Sequence, residues 1–518
     1  MSLAKTLMVQ GTASTVGKST LVTGLCRIFA QEGWRVAPFK AQNMSLNAAV
    51  TRDGGEIGRA QAAQAEAAGI EPLVEMNPIL LKPEGHARSQ VIVMGRPLGA
   101  MEAREYYQHR AGFLEIVQQA LAHLRREYDL IILEGAGSPV ELNLAHYDLV
   151  NMRVAQVATA PVLLVGDIDR GGIFASLLGT LMLLQPEERA RVKGLIVNKF
   201  RGDLSLWRAG EQLLAERSGV PVLGTVPFFN TMYLAEEDSV ALDDGTAPVL
   251  QKHPGRASNP LEIVVVRLPY LSNYDEFDAL AAEPLVHLRF AASPAEFPAQ
   301  PDLIILPGTK QTLSDLAWLW QQGLAQYIRR WAKQGCAVLG ICGGYQMLGE
   351  RLSDFVGAET QAGTVEPGLN LLPVETFFGP ISEKITRQSH VRVNESAACG
   401  LFARLHGHGF RTYQIHLGRT VATTNDQAGT WAFQTDAAGA DGWLSADGWC
   451  SGCYLHGLFE NDHFRQGIVA ALAERRSTPL VVSELAPFNR HAEYDKLAAV
   501  LREHLDIRRL KALCRLVG

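Results

Sequence analysis

The chain has 518 residues, 47% hydrophobic and 20% charged, with 48 Lys and Arg against 54 Asp and Glu. That length exceeds what one hydrophobic core usually supports, so two or more domains are expected. A formal net charge of −6 gives no general reason to expect nucleic acid or an anionic membrane as partner, and seven scattered cysteines point to reduced thiols in a cytoplasm.

Ahead of the first Gly-rich loop lie one Lys and a short apolar strand (6–10), so no secretory leader is expected. The longest apolar stretch, 154–166, is too short and too polar to span a bilayer. Residues 8–20, MVQGTASTVGKST, read as a strand, a Gly-rich loop and the start of a helix. Phosphate binding needs inward-pointing backbone N–H groups, a helix N-terminus and a mobile cation. Gly11, Thr12 and Gly17 form the loop, Lys18 is placed to reach the β- and γ-phosphates, and Ser19, followed by Thr20, offers a hydroxyl to Mg²⁺. Five residues separate the two glycines, where the common spacing has four.

A second strand (34–39) is followed by Lys40, a candidate to steady a carboxylate or phosphate, and then by Asp53 and Glu56, either of which would suit a second Mg²⁺ contact. Helical spacing marks 58–68 and 111–127. Strand 129–135 carries Glu134, where an acidic group would complete a Mg²⁺ site. Strand 160–167 leads into Asp167 and Asp169, which would touch substrate or metal or simply form a βα turn. Strand 192–200 carries Asn198, whose amide would read a nucleotide base; Arg201 breaks the guanine-type pattern and favours ATP. Apolar strands alternating with helices predict an α/β fold with a mostly parallel sheet. After about residue 235 the pattern dissolves, and 242–260 reads as a linker.

A second α/β series starts at 261–271 and continues through 302–310 and 336–342, with a less regular Gly- and Thr-rich part at 360–450. Within it, Gly340-Ile341-Cys342-Gly343-Gly344 has the form of a nucleophile elbow, a sharp strand-to-helix turn that exposes the thiol. Such a cysteine needs a base. His456 in CYLHGLFEN is the best of fourteen histidines, with His406, His408 and His416 as alternatives. Cys450, Cys453 and His456 imitate metal-ligand spacing, but no fourth ligand accompanies them.

The strings QGTASTVGKST (10–20), FKAQNMSLN (39–47), DGGEIGRAQ (53–61), MNPILLKP (76–83), EGAGSP (134–139), GDIDRGGIFA (166–175), NKFRGD (198–203), LPGTK (306–310), GICGGYQMLG (340–349), YQIHLGRT (413–420) and YLHGLFEN (454–461) stand in the order found in cobyric acid synthases. The chain resembles that family over nearly its whole length. FKAQNMSLN and DGGEIGRAQ separate it from the sister cobyrinic acid a,c-diamide synthases. The resemblance implies a dethiobiotin synthetase-like P-loop domain over 1–245, a linker at 246–260 and a class I glutamine amidotransferase domain over 261–518. In the dethiobiotin synthetase group five residues also separate the loop glycines.

The implied activity is ATP- and glutamine-dependent amidation of the b, d, e and g carboxylates of adenosylcobyrinic acid a,c-diamide, through acyl phosphates and with Mg²⁺. No tightly bound organic cofactor is implied, and the partners are the corrinoid, glutamine and ATP. Ammonia would come from glutamine at a Cys342–His456 dyad, with Gly308 and Gly343 N–H groups as oxyanion hole. Leu458 stands where a triad Glu is usual, and the nearby Glu460 is not placed by any spacing rule as its substitute. Two other readings remain: a ligase for another acid, or a P-loop switch ATPase with a non-catalytic amidotransferase-like module.

Overall fold

The structure, a computed structural model, describes residues 3–85, 88–229, 231–235, 242, 259–423, 428–436, 439–477 and 487–516. The chain forms two compact units, one of Met1–Ser45, Gly55–Glu237 and Asn489–Gly518, the other of Leu46–Gly54 and Asp238–Phe488. A single boundary near 250 does not describe this division. Segment 46–54 belongs with the second unit, and the C-terminal helices Arg490–His504 and Ile507–Leu513, expected in the amidotransferase domain, belong with the first. The physical reason is apolar packing: Leu497, Ala498, Leu501, Leu505 and Leu510 complete the core formed by Leu21, Val22, Leu25 and Phe29. The expected linker 246–260 lies, except for its last two residues, outside the described residues.

The first unit is built on a six-stranded, all-parallel sheet. Its strands are β1 (Lys5–Gly11), β2 (Val36–Phe39), β3 (Leu130–Glu134), β4 (Val162–Asp167), β5 (Val192–Phe200) and β6 (Val222–Pro227), in the order β6-β5-β4-β1-β3-β2. The runs LIILE and VLLVGD are buried along almost their whole length, because helices cover both faces. Helix α1 (Lys18–Gln31) follows central strand β1 directly, so the Gly-rich loop sits at the carboxyl edge in mid-sheet, where α/β sheets place ligands. A smaller four-stranded sheet joins Gln42–Met44, Ile79–Pro83, Arg88–Val93 and Arg96–Glu102.

The second unit holds a nine-stranded mixed sheet. In chain order its strands are β7 (Leu261–Val266), β8 (Val286–Ala291), β9 (Leu303–Leu306), β10 (Ala337–Ile341), β11 (Ile385–Val393), β12 (Gly409–His416), β13 (Gly429–Thr435), β14 (Gly439–Ser445) and β15 (Cys450–Cys453). The spatial order is β8-β7-β9-β10-β15-β14-β13-β11-β12, parallel from β8 to β15 and antiparallel beyond. Strands β9, β10 and β15 are neighbours, and Gly308, Cys342 and His456 lie within three residues of their carboxyl ends. Helix α2 (Thr312–Gln321) follows the Gly308 turn, and the short α3 (Gly343–Leu348) follows Cys342. Among the described residues no helix is long and apolar enough to cross a membrane.

Candidate functional sites

In the first unit, Gly17 adopts φ 92° at the N-cap of α1, a left-handed conformation suited to glycine. A side chain there would also strike the Asn198 amide. Lys18 Nζ turns back into the loop, donating to Ala13 O at 2.8 Å and to Ser14 O and Gly137 O at 3.2 Å. Thr12 N–H bonds Val165 O at 2.9 Å, fixing the loop to β4. Asn198 Nδ2 donates to Val16 O at 2.8 Å and Lys199 Nζ to Thr15 O at 2.7 Å, so β5 braces the loop from its other side. One of the two Asn198 amide hydrogens is thus spent on the loop rather than on a base.

Glu134, buried at the end of β3, is the hub of this site. Its Oε1 accepts from Ser19 Oγ at 2.7 Å and from Lys40 Nζ at 2.9 Å, and its Oε2 from Gln64 Nε2 at 2.6 Å. Burial pushes the carboxyl up, but the Lys40 ammonium and the three hydrogen bonds outweigh it and hold Glu134 below the usual carboxylate range. An ionised carboxylate has about four lone-pair sites, so three donors leave room for one more partner. Ser19 and Glu134 are hard oxygen donors side by side, a set that fits Mg²⁺ when phosphate and water oxygens supply the remaining positions.

The other acidic candidates lie elsewhere. Glu56 pairs with Lys82 at 2.5 Å. Asp167 pairs with Lys199 at 3.1 Å, and Asp169 with Arg201 at 2.7 Å. Asp53 is exposed, belongs to the second unit and accepts from the Thr51 hydroxyl.

In the second unit, Cys342 has φ 53° and ψ −112°, a strained conformation for a residue with a side chain. Its N–H bonds Cys453 O at 2.8 Å, and Sγ lies 3.4 Å from Ile415 O. The turn is possible because Gly344 packs against the Leu306 carbonyl, leaving no space for a Cβ. Gly343 is the first residue of α3, so its N–H has no acceptor within the helix. A Cβ on Gly308 would sit 2.8 Å from His456 Cε1, which brings that backbone against the imidazole.

His456 is buried, stacked on Tyr413 with ring centroids 5.2 Å apart. Its Nδ1 lies 3.1 Å from Glu276 Oε1, and Glu276 Oε2 accepts from Gly457 N–H at 3.2 Å. Burial opposes the imidazolium, but the Glu276 charge and hydrogen bond, together with the neighbouring Cys342 thiol, outweigh it and lift His456 well above its usual pKa.

The other histidines fall away. His406 and His408 are exposed. His416 is buried against Tyr454, and burial lowers its pKa to about 3, so it stays neutral. Burial raises both Cys450 and Cys453, and among the described residues no group of three His, Cys, Asp or Glu is placed to hold a metal.

Known proteins bear on both units. Residues 7–240 match the CobQ/CobB/MinD/ParA nucleotide binding domain, and 262–464 the CobB/CobQ-like glutamine amidotransferase domain. A cobyric acid synthase of Dehalococcoides mccartyi (strain ATCC BAA-2266 / KCTC 15142 / 195) is 48% identical over 513 residues, covering 98% of each chain. One of Sorangium cellulosum (strain So ce56) is 49% identical over 97% of each chain. One of Roseiflexus castenholzii (strain DSM 13941 / HLO8) is 51% identical over 90% of this chain and 91% of its own. The chain belongs to the cobyric acid synthase family.

It is therefore a glutamine-dependent ligase with a nucleotide-binding domain. Of the family strings, FKAQNMSLN and DGGEIGRAQ meet at Asn43, whose Nδ2 donates to Gln61 Oε1 at 2.9 Å. Lys40 from the first string and Gln64, three residues beyond the second, converge on Glu134. Asn47 Oδ1 accepts from Asn273 N–H at 2.7 Å, and Asn273 Oδ1 accepts from Ala48 N–H at 2.8 Å, fixing the turn that leads into Glu276. Sequence reasoning missed Glu276 and Gln64. The exposed Glu460 does not replace the absent triad Glu; a carboxylate 180 residues upstream of His456 meets the imidazole instead.

Proposed function

We propose that the chain amidates the b, d, e and g side-chain carboxylates of adenosylcobyrinic acid a,c-diamide, using ATP and ammonia released from glutamine. The observation that carries the glutaminase half is the buried row Cys342–His456–Glu276, in which the carboxylate touches Nδ1 of the base. With Nδ1–H held by Glu276, Nε2 serves the thiol. Cys342 as thiolate attacks the glutamine carboxamide, and His456 gives the proton to the leaving ammonia. N–H groups of Gly343 and Gly308 receive the oxyanion. Water then attacks the thioester, His456 takes its proton, and glutamate leaves with the thiol restored.

In the other unit the phosphate loop holds ATP, with Lys18 against the β- and γ-phosphates and Asn198 available to the base through its second amide hydrogen. A corrinoid carboxylate oxygen attacks the γ-phosphorus, ADP leaves, and an acyl phosphate results. Phosphorylation is needed because a carboxylate is a poor electrophile and its oxygen a poor leaving group. Ammonia adds to the acyl carbon and phosphate departs, leaving the amide. Ser19 and Glu134 would hold Mg²⁺, which would supply charge neutralisation on the phosphates. Lys40 keeps Glu134 ionised and in place.

Cys342→Ala should abolish glutamine-driven amidation and keep it with high ammonium, whereas Lys18→Ala should lose both. Glutamine-driven synthesis by Cys342→Ala would refute the nucleophile. ATP hydrolysis by the wild type with no amide formed on the corrinoid would favour the switch reading instead.

A further inference from the structure

At the amino edge of the parallel sheet, opposite the phosphate loop, the first unit has a cavity of about 470 Å³. Among the described residues five cations line it, Lys5, Arg125, Arg191, Lys193 and Arg515, and no carboxylate does. Among the described residues none of the five is ion-paired with Asp or Glu. In a chain whose acids outnumber its bases, such a concentration needs a cause.

One cause is local. Helices Arg110–Glu127, Met152–Ala158, Pro186–Arg189 and Ile507–Leu513 end at or beside this lining, and helix carboxyl ends favour Lys and Arg. Each end carries roughly half a negative charge, less in short helices, so four ends offset about two of the five cations. A surplus of about three positive charges remains, around a volume within the range of small-molecule sites. Among the described residues no aromatic side chain lines the cavity, so none of them would stack on a nucleobase.

We propose that this cavity is a second anion site, separate from the phosphate loop, taking a compact polyphosphate. Lys193 and Arg515, exposed at the rim, meet the anion first, and the half-buried Arg125 and Arg191 hold it. Lys5 opens β1, the strand that ends in the phosphate loop, so an occupant would touch the strand that feeds the ATP site.

Calorimetric titration of the full chain with tripolyphosphate at about 0.15 M KCl, an ionic strength that screens diffuse surface binding, tests this. The Lys18→Ala protein, disabled at the loop, should still bind one equivalent. Adding Lys193→Glu and Arg515→Glu should weaken that binding at least tenfold, and the neutral pair Lys193→Gln and Arg515→Gln should weaken it less, with circular dichroism unchanged in both. ATP should bind Lys18→Ala no more tightly than tripolyphosphate does. No binding to Lys18→Ala, undiminished binding after the charge reversals, or clearly tighter binding of ATP would overturn the proposal.

Discussion

A buried imidazole takes its basicity from the carboxylate in contact with it, and for His456 that carboxylate is Glu276. Glu276→Gln preserves shape and an acceptor for Nδ1–H but removes the charge. Without it, burial prevails and the pKa of His456 falls. The imidazolium that stabilises the thiolate is then lost at lower pH, so the basic limb of the glutaminase profile should move down. The rate should drop by as much as roughly ten-thousand-fold, the order seen when a triad carboxylate is neutralised in a serine protease, with ammonium-driven amidation intact. An unmoved pH profile would reduce Glu276 to a packing role. Asp315, buried at the start of α2, behaves differently: burial raises it to about 7, while Thr309 Oγ1 and Tyr270 N–H donate to its Oδ2. A raised folded-state pKa means that its contribution to stability is fully present below about pH 4 and is lost as pH rises towards 7. The loss is at most roughly 4 kcal/mol for a shift of about three units. Asp315→Asn should therefore flatten the fall in stability of the second unit between pH 5 and 8, measured by urea unfolding; an unchanged slope would clear Asp315.

Helix Arg490–His504 lies at the far end of the sequence yet packs on α1, the helix that carries Lys18 and Ser19. Gly24 of α1 is in close contact with Leu497 and Leu501, and a Cβ on it would collide with both. Leu501→Ala should cost about 2–5 kcal/mol in the first unit, the usual range for emptying a packed site, and should raise the KM for ATP more than that for glutamine. Equal effects on both substrates would show that the helix does not support the loop selectively. This helix also shows what the sequence did and did not disclose. The phosphate loop and the cysteine elbow were legible because their chemistry is confined to about a dozen consecutive residues, where glycine positions and a strand-to-helix change leave a local imprint. Strands β1 to β5 are legible as apolar runs, whereas β6, VLGTVP, is interrupted by glycine and threonine and leaves no such run. Glu276, Gln64 and the C-terminal helices were not legible, since each acquires its role from a partner far away in the chain, and an amphipathic helix does not state which core it covers.

At the scale of the whole chain, the proposed function has one polypeptide make ammonia in one unit and consume it in the other. In neutral water ammonia is mostly protonated, and the ammonium ion is no nucleophile, so release to solvent would waste most of each glutamine. Mixing two inactive proteins distinguishes shelter from leakage. Cys342→Ala keeps the phosphate loop and Lys18→Ala keeps the thiol, so the mixture holds every group needed, but on separate chains. If ammonia stays within the chain that makes it, the mixture should hydrolyse glutamine at the rate of its Lys18→Ala component and form little amide, rising only when ammonium is added. If ammonia travels through solution, the mixture should amidate from glutamine nearly as well as from an equal concentration of ammonium, and better as the Lys18→Ala share increases. That second pattern would sink sheltered transfer while leaving both active sites as assigned, because each is tested separately by its own substitution.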